Sequence, residues 1–447
     1  MRFCTITLGC KANQFDTSTM EGILAEHGHV QVKLGDGCDV CVINTCAVTA
    51  ESVRKSRQAV RRVKKLEPNA LVAVCGCFSE LEPETAASIG ADLIGGADNR
   101  ESFALEIGKA LLIRNDSKIS LPSANGNSTS SSPVAENPLQ SNRTRALLKI
   151  QDGCDNYCAY CIIPFVRGRS RSTPLEKLTQ QASQFEMQGF KELIITGIEI
   201  SSWQGENTDL IDAVNAISKA APNARLRIGS LDPTVLTDDF IRKLAQIPNL
   251  CNHFHISLQS GCDETLQRMG RKYTTNAVKQ TINKLKESFS DCGITADLIV
   301  GFPGETDDEF NRTMDFIRIA EFSDMHIFPF SPRPGTKAAV MSNQINRTTI
   351  KERARSMTKL ATEKALDFKK QQLGKTVEVL FEQEKNACMT GYSENYLHIA
   401  VEIESQQSQN SRNTTIPQTN SIHHVEIKKL ENDLVVAELL IDKSSKD

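Results

Sequence analysis

The sequence predicts an α/β chain in three folded parts. A doubly wound parallel sheet is expected over residues 1–114, a partial barrel of six βα units over 144–372, and a small antiparallel β-barrel over 373–447. Three observations carry this. Short apolar runs alternate with helical periodicity through the first two parts. A polar stretch, "NDSKISLPSANGNSTSSSPVAENPLQSNR" (115–143), separates them; it has too little apolar content for a core and reads as a flexible linker. Beyond residue 373 the period falls to two.

Each element follows in order. "FCTITL" reads as a strand, with a helix over Gln14–His27; "DVCVINT" is the next strand, with a helix over Ala50–Leu66. "ALVAVCG", a helix from Ser79, "ADLIGG" and a helix over Arg100–Ile113 complete the first part. The barrel strands are "RALLKIQ", "ELIITGI", "RLRIGSL", "HFHISLQ", "ITADLIVGF" and "DMHIFPF", and ligands in such folds bind at carboxyl strand ends. A basic helix over Thr348–Leu373 leads to four strands, "TVEVLFE", "YLHIAVEI", "HHVEIKKL" and "DLVVAELLI", with a long mobile loop, "ESQQSQNSRNTTIPQTNS", between the second and third.

Length and composition fit a globular chain of several domains, with 39% hydrophobic and 24% charged residues over 447. The net charge of −3 is no whole-chain signature of a nucleic-acid binder, so any basic surface must be local. No secretory leader and no apolar run of membrane length is evident, which predicts a cytoplasmic protein without a membrane partner. In that compartment, cysteines at ligand spacing point to metal or redox work.

Cys154, Cys158 and Cys161 stand in "QDGCDNYCAYCIIPF" as C-x3-C-x2-C. A four-iron cluster is normally held by four thiolates. Three leave one iron open to a substrate or cofactor. One tight loop at the end of the first barrel strand can wrap three corners. Zinc fits less well, because its sites pair C-x2-C elements with a distant second pair or histidines. A second set is dispersed: Cys10, Cys46 and Cys77 each lie just past a predicted parallel strand, and those ends converge in space. Three thiols there again suit a cluster with an open iron. Cys75 falls inside a strand and is expected in the core. Cys4, Cys38, Cys41, Cys251, Cys262, Cys292 and Cys388 read as packing residues.

The C-x3-C-x2-C loop resembles the signature of the radical S-adenosylmethionine (SAM) enzymes. The wider pattern resembles their methylthiotransferase branch, through "QDGCDNYCAYCIIPFVRGRSRS", "HFHISLQSGCDETLQRMGRKYT", "DLIVGFPGETDDEF" and "FPFSPRPGTKAA". The resemblance covers nearly the whole chain. It implies two [4Fe–4S] clusters: a SAM-binding one on Cys154, Cys158 and Cys161, and an auxiliary one on Cys10, Cys46 and Cys77 that handles the inserted sulfur. One SAM would donate a methyl group and a second would generate a 5′-deoxyadenosyl radical, since acid–base residues are of little help with an unactivated C–H bond. The C-terminal part would be a TRAM domain.

"TLGCKANQFDT" and "NTCAVTAESVRKSRQAVRR" resemble the branch acting on N6-threonylcarbamoyladenosine at position 37 of tRNA. The "GCQMN" opening of the isopentenyladenosine branch and the "GCPKN" opening of the ribosomal-protein branch are absent; those substrates are the alternatives. A reading from another class is an iron–sulfur RNA-binding redox sensor, which would not need the SAM-binding elements. Implied partners are the tRNA anticodon loop, an electron donor and a sulfur source, with the chain acting as a monomer.

For SAM, Thr196, Gly197 and Glu199 occupy the place where the family supports the amino group, and Glu199 is unusual there. Ser257 and Gln259 offer polar partners to ribose hydroxyls, Gly301 and Gly304 permit close approach of the cofactor, and Arg268 and Arg271 suit a carboxylate or phosphate. Glu80 stands where the family often has glutamine, with packing rather than ligation as its expected role. For RNA, the tract Arg54–Lys65 holds seven basic residues and no acid; Arg54, Lys55, Arg61, Arg62 and Lys65 are the candidates, joined by Arg167, Arg169 and Arg171. The tail is different: residues 373–447 carry 7 basic and 12 acidic side chains, which leaves stacking by Tyr392 or Tyr396 as a weaker route than a core role for both.

Overall fold

The computed structural model describes residues 1–116, 144–403 and 417–440, with side chains of the first stretch to 113. The linker read over 115–143 lies outside them apart from two residues that continue a helix, and so does most of the loop read at 404–421. The chain divides into two compact units. The first takes the amino-terminal part together with Asp152–Ser170 and Ser331–Ala339. The second takes the barrel strands, the long helix and the C-terminal strands.

Among the described residues, the first unit is built on five parallel strands: β1 (Arg2–Thr7), β2 (Val30–Gln31), β3 (Val40–Thr45), β4 (Leu71–Gly76) and β5 (Leu93–Ile94), in the order β2-β1-β3-β4-β5. Its helices include α1 (Lys11–Glu26), α2 (Ala50–Leu66), α3 (Cys77–Leu81), α4 (Pro83–Ser88) and α5 (Arg100–Asp116), with a short one, Ile163–Arg167, in the Asp152–Ser170 piece. Period two divides the strands between two faces. Phe3, Val40, Val42, Ala73 and Cys75 bury against α1 and α5, while Cys4, Cys41, Ile43, Val72 and Val74 bury against Val60 and Val63 of α2. Cys75 is therefore a core residue, as the sequence suggested. The order reverses between β1 and β3, the switch point at which such sheets open a crevice. The edge strand β2 was not foreseen, because two residues are too few to show a period. The helix expected from Ser79 starts at Cys77 and is divided by Pro83.

In the second unit all six expected strands form, parallel and in chain order. They make two sheets, 145–149/192–196/225–228 and 230–231/253–259/293–300/324–329, divided at Gly229. A side chain there would come within 2.8 Å of the Ile195 carbonyl oxygen. The long helix runs Arg347–Gln371.

The C-terminal strands close into a five-stranded barrel. It is not wholly antiparallel: 399–401 pairs parallel with 435–437. Alternating directions cannot close a ring of odd number, so one pair must run parallel. The strand missed in the sequence, Cys388–Ser393, contains Gly391, where an added Cβ would meet the Leu380 carbonyl oxygen at 2.0 Å. A glycine at that crossing lets the strands approach but hides the period.

This small barrel is seated on the amino-terminal ends of the larger barrel's strands. Glu192 is buried between Arg225 (2.6 Å) and Arg227 (2.7 Å). The two guanidiniums go on to the carbonyl oxygens of Tyr392 (2.7 Å) and Ser393 (3.0 Å). Tyr392 and Tyr396 stack on one another under Arg145 and Arg227, so both belong to this joint. Among the described residues no helix is long and apolar enough to cross a membrane.

Candidate functional site

The two sets of three cysteines fall in one compact unit. Cys10 is the N-cap of α1 after β1, Cys46 follows β3, and Cys77 opens α3 after β4. These are three adjacent strands, so their carboxyl ends stand side by side. Two glycines allow the close approach. A Cβ on Gly9 (φ +100°) would lie 2.8 Å from the Cys46 Cβ, and one on Gly76 (φ +103°) would lie 2.4 Å from the Thr45 carbonyl oxygen. Asn13, fully buried, ties the loops by donating to the carbonyl oxygens of Leu8 (2.7 Å) and Thr45 (2.9 Å). Ser56 of α2 accepts from the Cys46 N–H at 3.2 Å. Glu80 accepts from the Ala97 N–H at 2.9 Å, a packing role.

Cys46 and Cys77 are buried, and Cys10 is open to solvent although crowded by protein. Burial pushes the Cys77 thiol up to about 11 and raises Cys10, against the opposing pull of Arg167. Loading metal on Cys77 and Cys10 must therefore release protons. Among the described residues no three His, Cys, Asp or Glu side chains converge closely enough for one metal ion. A cluster asks for less convergence, because each thiolate takes a separate iron. Three soft ligands on glycine-spaced loops, faced by a buried cation, fit such a group.

That cation is Arg167, which is 0% exposed. It donates to Asp152 at 2.9 and 3.0 Å, to Asp16 at 3.1 Å and to the Asn13 side-chain oxygen. Its charge lowers the Cys77 thiol against the effect of burial. The sequence reading of Arg167 as an RNA contact is therefore corrected: its guanidinium is buried and paired with two carboxylates inside the protein. It reaches from the C-x3-C-x2-C loop to the dispersed set, a role that no local pattern signals.

The loop itself is pinned at its base. Gly153 (φ +71°) packs so closely that a Cβ would sit 2.0 Å from the Arg169 carbonyl oxygen. The Cys154 N–H donates to the Gly168 carbonyl at 3.1 Å, and the Cys161 N–H to that of Cys158 at 2.9 Å. The Asn156 N–H points at the Cys154 sulfur, 3.4 Å away, a bond that favours the thiolate. Cys154 and Cys158 are buried and Cys161 half-buried. The Ala338 N–H donates to the Ala159 carbonyl at 2.7 Å, fastening the Ser331–Ala339 segment to the loop.

At the carboxyl rim of the second unit, the amides of Ile198 and Glu199 donate to buried Gln151 (3.2 and 2.8 Å), placing Gly197 and Glu199 after Thr196. Burial, then the nearby Asp232, raises the Glu199 carboxyl. Asp232 pairs with Arg271 at 2.5 Å, and Arg271 reaches the Ser257 carbonyl at 3.2 Å; Ser257 meets Ser230 at 2.6 Å. Gln259 takes φ +65° where the strand register shifts. Thr196, Gly197, Glu199, Ser257 and Gln259 thus share one polar rim. Asp232 belongs to it and was missed; "LDP" after the third strand was its only signal. Gly301 and Gly304 follow the fifth strand, both with positive φ. Arg268 packs beside Gly304 and is held by Glu309 at 2.6 Å.

On α2, Arg54, Lys55, Arg61, Arg62 and Lys65 are exposed, opposite buried Val53, Ser56, Val60 and Val63. Arg169 is exposed, 3.4 Å from Asp155, and Arg171 is exposed.

The radical SAM superfamily model matches residues 148–317, and that of the uncharacterized protein family UPF0004 matches 2–96. The chain is 35% identical to the threonylcarbamoyladenosine tRNA methylthiotransferase MtaB of Thermotoga maritima, over 88% of this chain and 89% of that one. It is also 35% identical to the MtaB of Bacillus subtilis, over 88% of each. A tRNA-2-methylthio-N(6)-dimethylallyladenosine synthase of Pelotomaculum thermopropionicum is 32% identical over 86% of this chain and 87% of its own. Among solved structures, a radical SAM methyltransferase of Kitasatospora setae shares the fold, with a TM-score of 0.54 and 14% identity over 76% of this chain and 77% of that one.

Proposed function

Because the chain belongs to the tRNA methylthiotransferases of the radical SAM superfamily, we propose that it adds a methylthio group to carbon 2 of N6-threonylcarbamoyladenosine at position 37 of tRNA. The observation that carries the chemistry is the pairing of two open three-thiol sets in one compact unit. Cys154, Cys158 and Cys161 would hold the SAM-binding cluster, and Cys10, Cys46 and Cys77 the auxiliary one. When bound, these groups supply one-electron cleavage of SAM and the sulfur to be inserted.

The chain's own residues do the positioning. Gly153 and the Cys154–Gly168 bond shape the first loop, and Asn13 and Ser56 hold the second set in register. Arg167 places a positive charge where thiolates gather. Thr196, Gly197, Glu199, Ser257, Gln259, Gly301, Gly304 and Arg268 line the strand ends where SAM would bind, with Arg271 and Asp232 setting the rim's polarity. The exposed basic face of α2 suits RNA phosphates. The protein acts as a cytoplasmic monomer on the anticodon loop, and the C-terminal barrel is a TRAM domain.

The threonylcarbamoyl substrate is favoured by the "GCKAN" opening and by the relatives at 35% identity. Nucleoside mass spectrometry of tRNA from a deletion strain is the test. The methylthio form of threonylcarbamoyladenosine should vanish and return with the wild-type gene. Loss of the methylthio form of the isopentenyl nucleoside instead would move the assignment to that branch. Protein that makes no 5′-deoxyadenosine from SAM under reducing conditions would revive the redox-sensor reading.

A further inference from the structure

Along α2, Arg54, Arg57 and Arg61 recur at helical spacing with Ala50, Val53 and Gln58, so one stripe of the helix carries three guanidiniums. Glu82 and Arg333 complete the walls of a cleft of about 380 Å³. Arg333 comes from the Ser331–Ala339 segment of the same compact unit, which is fixed to the start of α2 by the Ala50 N–H donating to the Ser331 hydroxyl at 3.1 Å.

Four arginines against one glutamate leave this cleft positive. Two of them have acidic partners: Arg57 meets Glu82 at 2.6 Å and Arg54 meets Glu51 at 2.5 Å. Arg57 also lies over the Phe78 ring, 5.7 Å from its centre. Among the described residues Arg61 and Arg333 enter no ion pair. Arg333 is only 7% exposed, and its Nε is buried without a hydrogen-bond partner. A guanidinium in that position is poorly solvated and binds an oxyanion strongly. The volume falls in the range of sites for small organic ligands, more than one free oxyanion needs. Cys46 of the dispersed thiol set is fastened to the same helix, α2, its N–H donating to the Ser56 hydroxyl at 3.2 Å.

We propose that this cleft seats a backbone phosphate of the RNA substrate. The proposal rests on the tRNA reading above and deepens it. The basic residues of α2 then have two distinct roles. Arg54, Arg57 and Arg61 face the cleft with Arg333, while Lys55, Arg62 and Lys65 do not line it. A strand anchored here lies on the helix that also fastens Cys46.

The test is binding of unmodified tRNA transcript to the full chain by fluorescence anisotropy, between about 50 and 200 mM salt, where phosphate contacts govern the slope. Arg61→Gln, an exposed change that spares the fold, and Arg333→Gln should each weaken binding about tenfold and flatten the salt slope by about one. Lys65→Gln should have a smaller effect. Melting curves identify any loss of fold in Arg333→Gln, and Arg61→Gln then decides alone. Wild-type binding with affinity and slope unchanged in Arg61→Gln overturns the proposal. Inorganic phosphate that binds wild type and not Arg61→Gln, with tRNA binding intact, also overturns it and makes the cleft a free-anion site. A wild-type chain that ignores tRNA altogether fails the functional reading itself.

Discussion

The two thiol sets solve one problem in opposite ways. Cys154, Cys158 and Cys161 sit on a single loop of eight residues closed by Gly153 and the Cys154–Gly168 bond. Cys10, Cys46 and Cys77 come from three strand ends spread over 68 positions, and they meet only because β1, β3 and β4 are neighbours. The first set needs a turn; the second needs a sheet. A contiguous site should therefore fail locally, and a dispersed one with the fold that assembles it.

The strongest way to break this contrast is to damage the loop alone. Gly153→Ala puts a side chain 2.0 Å from the Arg169 carbonyl oxygen at a positive φ. Reconstituted protein should fall from about eight irons to about four, with the far-ultraviolet spectrum unchanged. Loss of all iron would show that the sets are not separable. Arg167 is where they meet. Arg167→Met strips half-buried Asp152 of its cation and leaves buried Asp16 only the more distant Arg100 (3.6 Å), which should cost about 3 kcal/mol and lower iron at both sites. Arg167→Lys should restore part of the stability in urea titrations; a variant as stable as wild type would remove Arg167 from this role.

Asn13→Ala sharpens the other side. It deletes the ties to Leu8 and Thr45, at about 1–3 kcal/mol. Iron should be lost from the dispersed set while the SAM-dependent spectrum of the loop cluster persists; equal loss from both would contradict the contrast. The smallest effect on iron belongs to Glu192→Gln, far along the chain from both sets. Burial alone would raise this carboxyl, but Arg227 and Arg225 lower it to about 2 from the ordinary 4.5. A carboxylate with a depressed folded value stabilises above its unfolded value and stops doing so as pH falls through the folded one. Wild type should thus lose melting temperature between about pH 4.5 and about pH 2, a dependence that Glu192→Gln reduces, with both clusters retained at neutral pH.

The same contrast explains what was legible in the sequence. Strands with apolar period and the C-x3-C-x2-C spacing are local facts, so they could be read directly. The dispersed cysteines were legible at one remove, through strand ends that a parallel sheet aligns. Arg167 was misread because a basic residue in a basic run looks exposed; only the third dimension brings Asp16 and Asn13 to it. Asp232 and Arg333 were invisible for a related reason. Asp232 pairs with Arg271, 39 positions further on, Arg333 shares a cleft with a helix from the far end of the chain, and neither lies in a periodic pattern. Gly391 hid a strand because its virtue is the lack of a side chain.

The first unit is completed late in synthesis. Its last piece, Ser331–Ala339, is supplied by a segment more than two hundred residues after its first 116. During translation the early strands must wait, incomplete, until most of the chain has left the ribosome. The thiols proposed to hold iron would stay within reach of oxidants for that interval, which argues for cluster loading after synthesis and for chaperone cover before it.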